Sequence, residues 1–148
     1  MRGCGEQDRS KGSDVQSPGD DHLKARDPEA PVFRYERDMQ LAIRRNLALI
    51  EPGLVEADGG RERHVASGKI DITARDARGH YVVIELKAGK CPAGALEQVL
   101  GYSSDLERET GTPCRSVLVA SQFSQRLCAA ADRARCLRLV TYEVGDLR

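Results

Sequence analysis

Gly68-Lys69-Ile70-Asp71-Ile72-Thr73-Ala74-Arg75, then Asp76-Ala77-Arg78-Gly79, then His80-Tyr81-Val82-Val83-Ile84-Glu85-Leu86-Lys87 follow one another without a gap and read as a β-hairpin. Gly79 is placed to take the left-handed position of a three-residue loop, a type I turn closed by a bulge. If Ala77, Arg78 and Gly79 form that loop, Asp76 pairs with His80, and every further pair has residue numbers with the same sum. Asp71 then falls opposite Glu85, with both side chains on one face. Carboxylates so paired repel and destabilise a sheet. A protein that keeps such a pair places a cation between them or protonates one of the two. Lys87, two positions beyond Glu85 on the same face, completes an acid-acid-lysine cluster. This is the outline of a metal-dependent site.

The two faces of the hairpin divide cleanly. Ile70, Ile72, Ala74, Val82, Ile84 and Leu86 are expected on one face. Asp71, Thr73, Glu85 and Lys87 are expected on the other, with Tyr81 and Val83. Elsewhere, a helical stripe of Met39, Ala42, Ile43 and Leu47 predicts a helix from Tyr35 to about Asn46. Leu54 to Ala57 reads as a first strand, with Asp58-Gly59-Gly60 as a turn. The hairpin strands span about Lys69 to Arg75 and His80 to Lys87. Pro92 suits the first turn of a second helix, which carries Ala95, Leu96, Val99 and Leu106 at helical spacing and ends at Gly111-Thr112-Pro113. Ser116 to Ala120 reads as a buried strand, Ser124 to Arg135 as a third helix and Leu137 to Tyr142 as a last strand. The order is αβββαβαβ, an antiparallel hairpin extended through helical crossovers.

Length and composition bound the function. A chain of 148 residues suits one domain with a modest core. Residues 1–31 are rich in Gly, Ser, Asp, Lys and Arg, with almost no large apolar side chains. They are expected to be a disordered leader before a domain at 32–148. With 23 basic and 23 acidic residues the formal net charge is zero, so any contact with nucleic acid must come from local charge. The hairpin region supplies it, and Arg61, Arg63, Lys69 and Lys90 are the candidate phosphate contacts. The five cysteines, Cys4, Cys91, Cys114, Cys128 and Cys136, contain no C-x-x-C pair and read as reduced thiols. No apolar run approaches the roughly 20 residues of a membrane span. A cytoplasmic protein is expected.

Asp followed by Glu-x-Lys on adjacent strands resembles the PD-(D/E)XK nuclease pattern, and the element order resembles that restriction-endonuclease-like fold. Five segments in all narrow the likeness: Glu36-Arg37-Asp38, Asn46-Leu47-Ala48-Leu49-Ile50-Glu51-Pro52-Gly53-Leu54, Gly68-Lys69-Ile70-Asp71, Val82-Val83-Ile84-Glu85-Leu86-Lys87 and Glu97-Gln98-Val99-Leu100-Gly101-Tyr102. In order and with sensible gaps, they resemble the catalytic domain of the NucS/EndoMS endonucleases from about Tyr35 to Tyr142. The resemblance implies a mixed central sheet flanked by helices and a metal-dependent endonuclease acting on DNA, with a role in DNA repair or the processing of mismatched or branched DNA. It implies Asp71 and Glu85 as metal-binding carboxylates, joined by the Leu86 carbonyl, and Lys87 as the catalytic lysine. Gln98 and Tyr102 match polar positions at the edge of the family's site, Tyr102 towards the nucleic acid, and Glu36 matches a further acidic site residue. Mg²⁺, for which Mn²⁺ substitutes, is the implied cofactor, because a hard ion held by oxygen ligands neutralises phosphate and activates water.

The family's full-length members carry an N-terminal domain for DNA binding and dimerisation. A disordered leader of about thirty residues is expected in its place here, which leaves mismatch recognition and a homodimer open. Each site residue also has a plain structural alternative. Asp71, Glu85 and Lys87 could be an ion-pair network, Glu36 an acid in a helix's first turn, Gln98 a solvated helix residue and Tyr102 part of the core. His64 and His80 read as surface residues. Two functional alternatives stay open: a catalytically inactive module of the same fold that binds DNA or protein, and a nuclease acting on RNA.

Overall fold

The computed structural model describes residues 29–143, with side chains from Glu36 onward. The expected leader therefore lies, through residue 28, outside the described residues. Helix α1 spans Glu29–Arg45 and so begins three residues inside the segment assigned to that leader. Met39, Ile43 and Leu47 bury one side of α1 and the short 3₁₀ turn after it. The strands are β1 (Val55–Glu56), β2 (Arg63–Val65), β3 (Gly68–Ile70), β4 (Ile72–Arg75), β5 (Tyr81–Leu86), β6 (Cys114–Ala120) and β7 (Leu137–Thr141). Helices α2 (Ala95–Thr110) and α3 (Gln125–Ala131) make the crossovers. The main sheet has the order β1-β4-β5-β6-β7: β4 is antiparallel to β1 and β5, while β5, β6 and β7 run parallel.

The hairpin forms in the register counted from its turn. Ile72 pairs with Ile84, Thr73 with Val83, Ala74 with Val82 and Arg75 with Tyr81. Gly79 is left-handed at φ 87°, and its N–H donates to the Asp76 carbonyl at 2.9 Å. The Asp76 carboxylate takes the N–H groups of Arg78 and His80, both at 2.9 Å, and closes the loop from the side chain as well.

The first strand of that hairpin departs from expectation. It does not run unbroken from Lys69 to Arg75 but is interrupted at Asp71, and β3 pairs instead with β2 in a separate two-stranded sheet. Ile70 and Ile72 would share a face in a continuous strand. Here Ile70 joins the core around Val83, Val99, Tyr102 and Leu118, while Ile72 joins the core around Ile43, Ile84, Leu86 and Val117 on the other side of the sheet. The chain has rotated at Asp71. Both sides of the sheet are packed, which rewards an apolar residue on either, so alternation alone could not reveal the switch.

Smaller differences have local causes. The strand expected at Leu54 to Ala57 is only Val55–Glu56, an edge strand with Val55 65% exposed. Helix α2 starts at Ala95 rather than at Pro92, because Gly94 before it is left-handed at φ 94°. It ends where expected, at left-handed Gly111, whose N–H returns to the Glu107 carbonyl. Strand β6 begins two residues early, at Cys114. Helix α3 is shorter than the span from Ser124 to Arg135: Ser124 caps it by accepting the Leu127 N–H, and it ends at Ala131. Cys91, Cys114 and Cys136 are free thiols. Cys128 is disulfide-bonded, contrary to the reading of every cysteine as reduced. Among the described residues no helix is long and apolar enough to cross a membrane.

Candidate active site

The break at Asp71 creates the site. In the β4–β5 ladder the hydrogen-bonded pairs fall on even numbers, as the Asp76 N–H to His80 carbonyl bond shows, so an unbroken strand would give the Leu86 N–H the carbonyl of Ile70. With β3 turned away towards β2, the carboxylate of Asp71 takes that place: its Oδ2 accepts the Leu86 N–H at 2.9 Å. On the other edge of β5 the Lys87 N–H donates to the Val119 carbonyl at 2.9 Å, which points the Leu86 peptide away from β6. The Leu86 carbonyl therefore faces the same gap that the Asp71 carboxylate enters.

Glu85 leaves β5 on the side that carries α2, in a strand where Tyr81, Val83 and Glu85 share a face. It is only 4% exposed. Its Oε2 lies 3.3 Å from the Lys87 Nζ, while Oε1 is buried without a hydrogen-bond partner. An unpaired buried carboxylate oxygen is costly. Burial pushes the Glu85 carboxyl up to about 7, helped by the negative field of Asp71 and opposed by Lys87. Burial also raises Asp71, against the Leu86 N–H and Lys87, which favour its anion. The charge of Asp71 thus opposes the ionisation of Glu85, and Lys87 does not offset that charge and burial together.

Of the remaining expected site residues, Glu36 and Lys87 act on this pair, whereas Gln98 and Tyr102 line a cleft that Lys87 borders and neither acid does. Glu36, on α1, accepts the Ala88 N–H at 3.3 Å, and its charge raises both Asp71 and Glu85. Lys87, Gln98 and Tyr102 line one cleft of about 560 Å³ together with Ser67 and Gly101. Gln98 Nε2 donates to the Tyr102 hydroxyl at 3.0 Å, one helical turn on. Tyr102 is 6% exposed and packs in the core. That is the structural alternative weighed for it, and the residue also lines the cleft. Lys87 links the two halves of the site, since its Nζ reaches Glu85 and its side chain borders the cleft.

The candidate phosphate contacts divide. Arg61 and Lys90 are exposed, and Lys69 is exposed beside Glu62 at 3.2 Å. Arg63 is not free: it pairs with Asp58 at 2.8 Å and lies 5.7 Å from the centre of the Tyr81 ring. A count of local charge could not separate tied from untied arginines. Sequence reading also missed Asp105, which accepts both the N–H and the hydroxyl of Ser67 and so pins the β2–β3 turn to α2. No strand had been expected at Arg63–Val65, so nothing pointed to that partner. Arg44 was missed as well. It reads as an ordinary basic residue in a helix's last turn, yet it contacts Glu56, Gly60 and Asp71.

Comparison with known proteins shows the family of the chain. Residues 35–143 match the family model of the endonuclease NucS C-terminal domain. The chain belongs to that family. The endonuclease NucS of Methanopyrus kandleri is 33% identical over 103 residues, 70% of this chain and 39% of that protein. The endonuclease NucS of Thermococcus kodakarensis is 35% identical over 96 residues, 65% of this chain and 37% of that one. The chain thus spans about two fifths of the length of these NucS relatives. Among solved structures, a repair endonuclease from Pyrococcus abyssi superposes with a TM-score of 0.65 at 29% identity, covering 73% of this chain and 46% of that one. An EndoMS complex with double-stranded DNA gives 0.61 at 30% identity, covering 73% and 44%. The mixed sheet and its flanking helices are therefore the fold of the NucS C-terminal domain.

The donor set suits a hard cation. Asp71, Glu85 and the Leu86 carbonyl are all oxygen donors, and the unpaired Glu85 Oε1 has unspent acceptor capacity. Among the described residues no cluster of three or more His, Cys, Asp or Glu side chains is arranged to hold an ion. Asp71, Glu85 and the Leu86 carbonyl would hold such an ion, which would supply charge to neutralise a phosphate and acidify water.

Proposed function

We propose that this chain is the catalytic portion of a Mg²⁺-dependent endonuclease that hydrolyses DNA phosphodiester bonds in DNA repair. The observation that carries the reading is the Asp71–Glu85 pair, held by the strand break, with the Glu85 Oε1 buried and unpaired beside Lys87. Asp71, Glu85 and the Leu86 carbonyl would hold the ion. When bound, the ion neutralises charge on the phosphate and makes water acidic.

The chain's own groups have distinct roles. Lys87 presents an ammonium at the rim of the cleft, where it orients the attacking water and offsets charge on the phosphate oxygens. Gln98, braced by the Tyr102 hydroxyl, offers amide hydrogen bonds to a substrate entering the same cleft. Glu36 holds the Ala88 amide and adds negative field at the ion's position. Arg61, Lys69 and Lys90 supply exposed charge for backbone contacts. The name of one structural neighbour, an EndoMS bound to double-stranded DNA, supports DNA as the substrate class.

Incubating the purified protein with linear, nicked, flapped and mismatched duplexes, and with RNA competitor, tests the reading. Cleavage with Mg²⁺ or Mn²⁺ and none with EDTA is expected. DNA binding without cleavage under every metal condition, or preferential cutting of RNA, would overturn it.

A further inference from the structure

Arg44 meets the strand break from behind. It lies in the last turn of α1 with its side chain only 17% exposed. Its Nη1 donates to the Gly60 carbonyl at 2.9 Å and to the Glu56 carboxylate. Its Nη2 donates to the main-chain carbonyl of Asp71, also at 2.9 Å. One guanidinium therefore ties α1, the end of β1, the turn at Gly60 and the residue between β3 and β4. Gly60 is left-handed at φ 80°, a conformation that favours glycine, and a Cβ there would only touch Nη1 at 3.5 Å and Glu56 Oε1 at 3.4 Å.

The carbonyl that Arg44 holds sits where the chain rotates. Ile70 is anchored in one core and Ile72 in the other; the peptide after Asp71 is held on its N–H side by the Ile72–Ile84 pair and on its carbonyl side by Arg44. The direction of the Asp71 carboxylate depends on that rotation. The carboxylate itself is held by the Leu86 N–H on Oδ2. A guanidinium satisfies several divergent acceptors at once because its donors lie on a rigid planar fork, which a single ammonium cannot imitate.

We propose that Arg44 is a positioning residue for the candidate cation site: by holding the Asp71 carbonyl it sets the rotation at the strand break and aims the Asp71 carboxylate at the gap beside Leu86. The inference rests on the metal-site reading above for its functional meaning, but its geometry can be tested without metal.

The experiment uses Arg44→Ala, Arg44→Lys and the control Glu56→Gln, which leaves the Arg44–Asp71 contact in place. Hydrogen exchange of the Leu86 amide in metal-free protein reports whether the Asp71 carboxylate is still seated, with the Val83 amide as the reference for general loosening. Mn²⁺ affinity is measured by electron paramagnetic resonance. In both Arg44 variants the Leu86 amide should lose about tenfold or more of its protection relative to Val83. Mn²⁺ affinity should fall about 10- to 100-fold, the range for losing a group that orients a metal ligand. Glu56→Gln should keep both near wild type.

Unchanged relative protection of Leu86 in the Arg44 variants, with Mn²⁺ bound at wild-type strength, would overturn the proposal. If Arg44→Ala does not fold, Arg44→Lys, which keeps a cation against Glu56, decides the question. A wild-type protein that binds no Mn²⁺ would sink the metal reading instead, and Leu86 exchange would still settle whether Arg44 positions Asp71.

Discussion

Asp71 Oδ2 accepts the main-chain N–H of Leu86, replacing the strand partner that an unbroken β3–β4 would have supplied. The side chain thus completes the sheet at the point where it opens the site. This has a consequence for substitution. Asp71→Asn keeps an oxygen that can accept the same N–H and removes one of two mutually repelling charges. Metal-free stability should stay within about 0.5 kcal/mol of wild type or rise, while cleavage is abolished with the lost metal-binding charge. Thermal melts in EDTA and a cleavage assay check both halves. Normal cutting, or strong destabilisation of the metal-free protein, would assign Asp71 to a structural network.

Glu85 should make the metal-free protein less stable as pH rises. Its folded carboxyl is raised to about 7 from an ordinary value of 4.5. The stability it contributes is therefore fully present below pH 4.5 and is lost as pH climbs through about 7. The loss is at most about 3 kcal/mol. Comparing wild type with Glu85→Gln isolates this group from other titrations. In EDTA, wild type should lose stability relative to Glu85→Gln between pH 5 and 8 in urea melts, and Mg²⁺ should reverse the trend at pH 8. Parallel pH profiles for the two proteins would show that Glu85 is ionised without cost.

Lys87→Ala should separate binding from chemistry. The candidate metal ligands do not include the ammonium, so Mg²⁺ or Ca²⁺ should still raise the melting temperature by binding the folded state. Single-turnover cleavage should fall about a hundredfold or more, the scale for a group acting mainly in the transition state. Duplex affinity should weaken only a few-fold. Cleavage within a few-fold of wild type would reduce Lys87 to a phosphate-contacting charge and make Glu36 the next candidate for activating water.

Gly68→Ala should disturb the cleft from the side of the small sheet. Gly68 sits at φ 152°, and a Cβ on it would lie 2.8 Å from the Tyr102 hydroxyl and 3.0 Å from the ring. Tyr102 is buried, so either the ring or β3 must move, and the Gln98–Tyr102 bond is strained with it. A loss of about 1–3 kcal/mol is expected, with cleavage falling further than the stability change alone explains at temperatures well below the melt. A variant as stable and as active as wild type would show that β3 and Tyr102 are free to separate.

The turn and the register of Ile72–Arg75 against Tyr81–Ile84 were legible in the residues, and with them the approach of Asp71 to Glu85, although Asp71 arrives from a broken strand against Leu86 and not as the cross-strand partner of Glu85. The reason is that these depend on local geometry: a Gly at the left-handed position of a short loop sets the pairing of every later residue, and the strand period then sets the faces. The helical stripes were legible for the same reason, as was the stop at Gly111. Tertiary structure alone decided where β3 leaves the sheet, because Ile70 is apolar in either core and the choice between the cores is made by Tyr102 and α2, some thirty residues away. It decided that Arg63 is tied to Asp58 and Tyr81 while Lys90 stays exposed, a distinction that composition does not carry. It also decided the part played by Arg44, whose contact with Asp71 spans 27 positions of sequence and follows no period. Local periodicity brought the acids together, and long-range packing broke the strand that aims one of them.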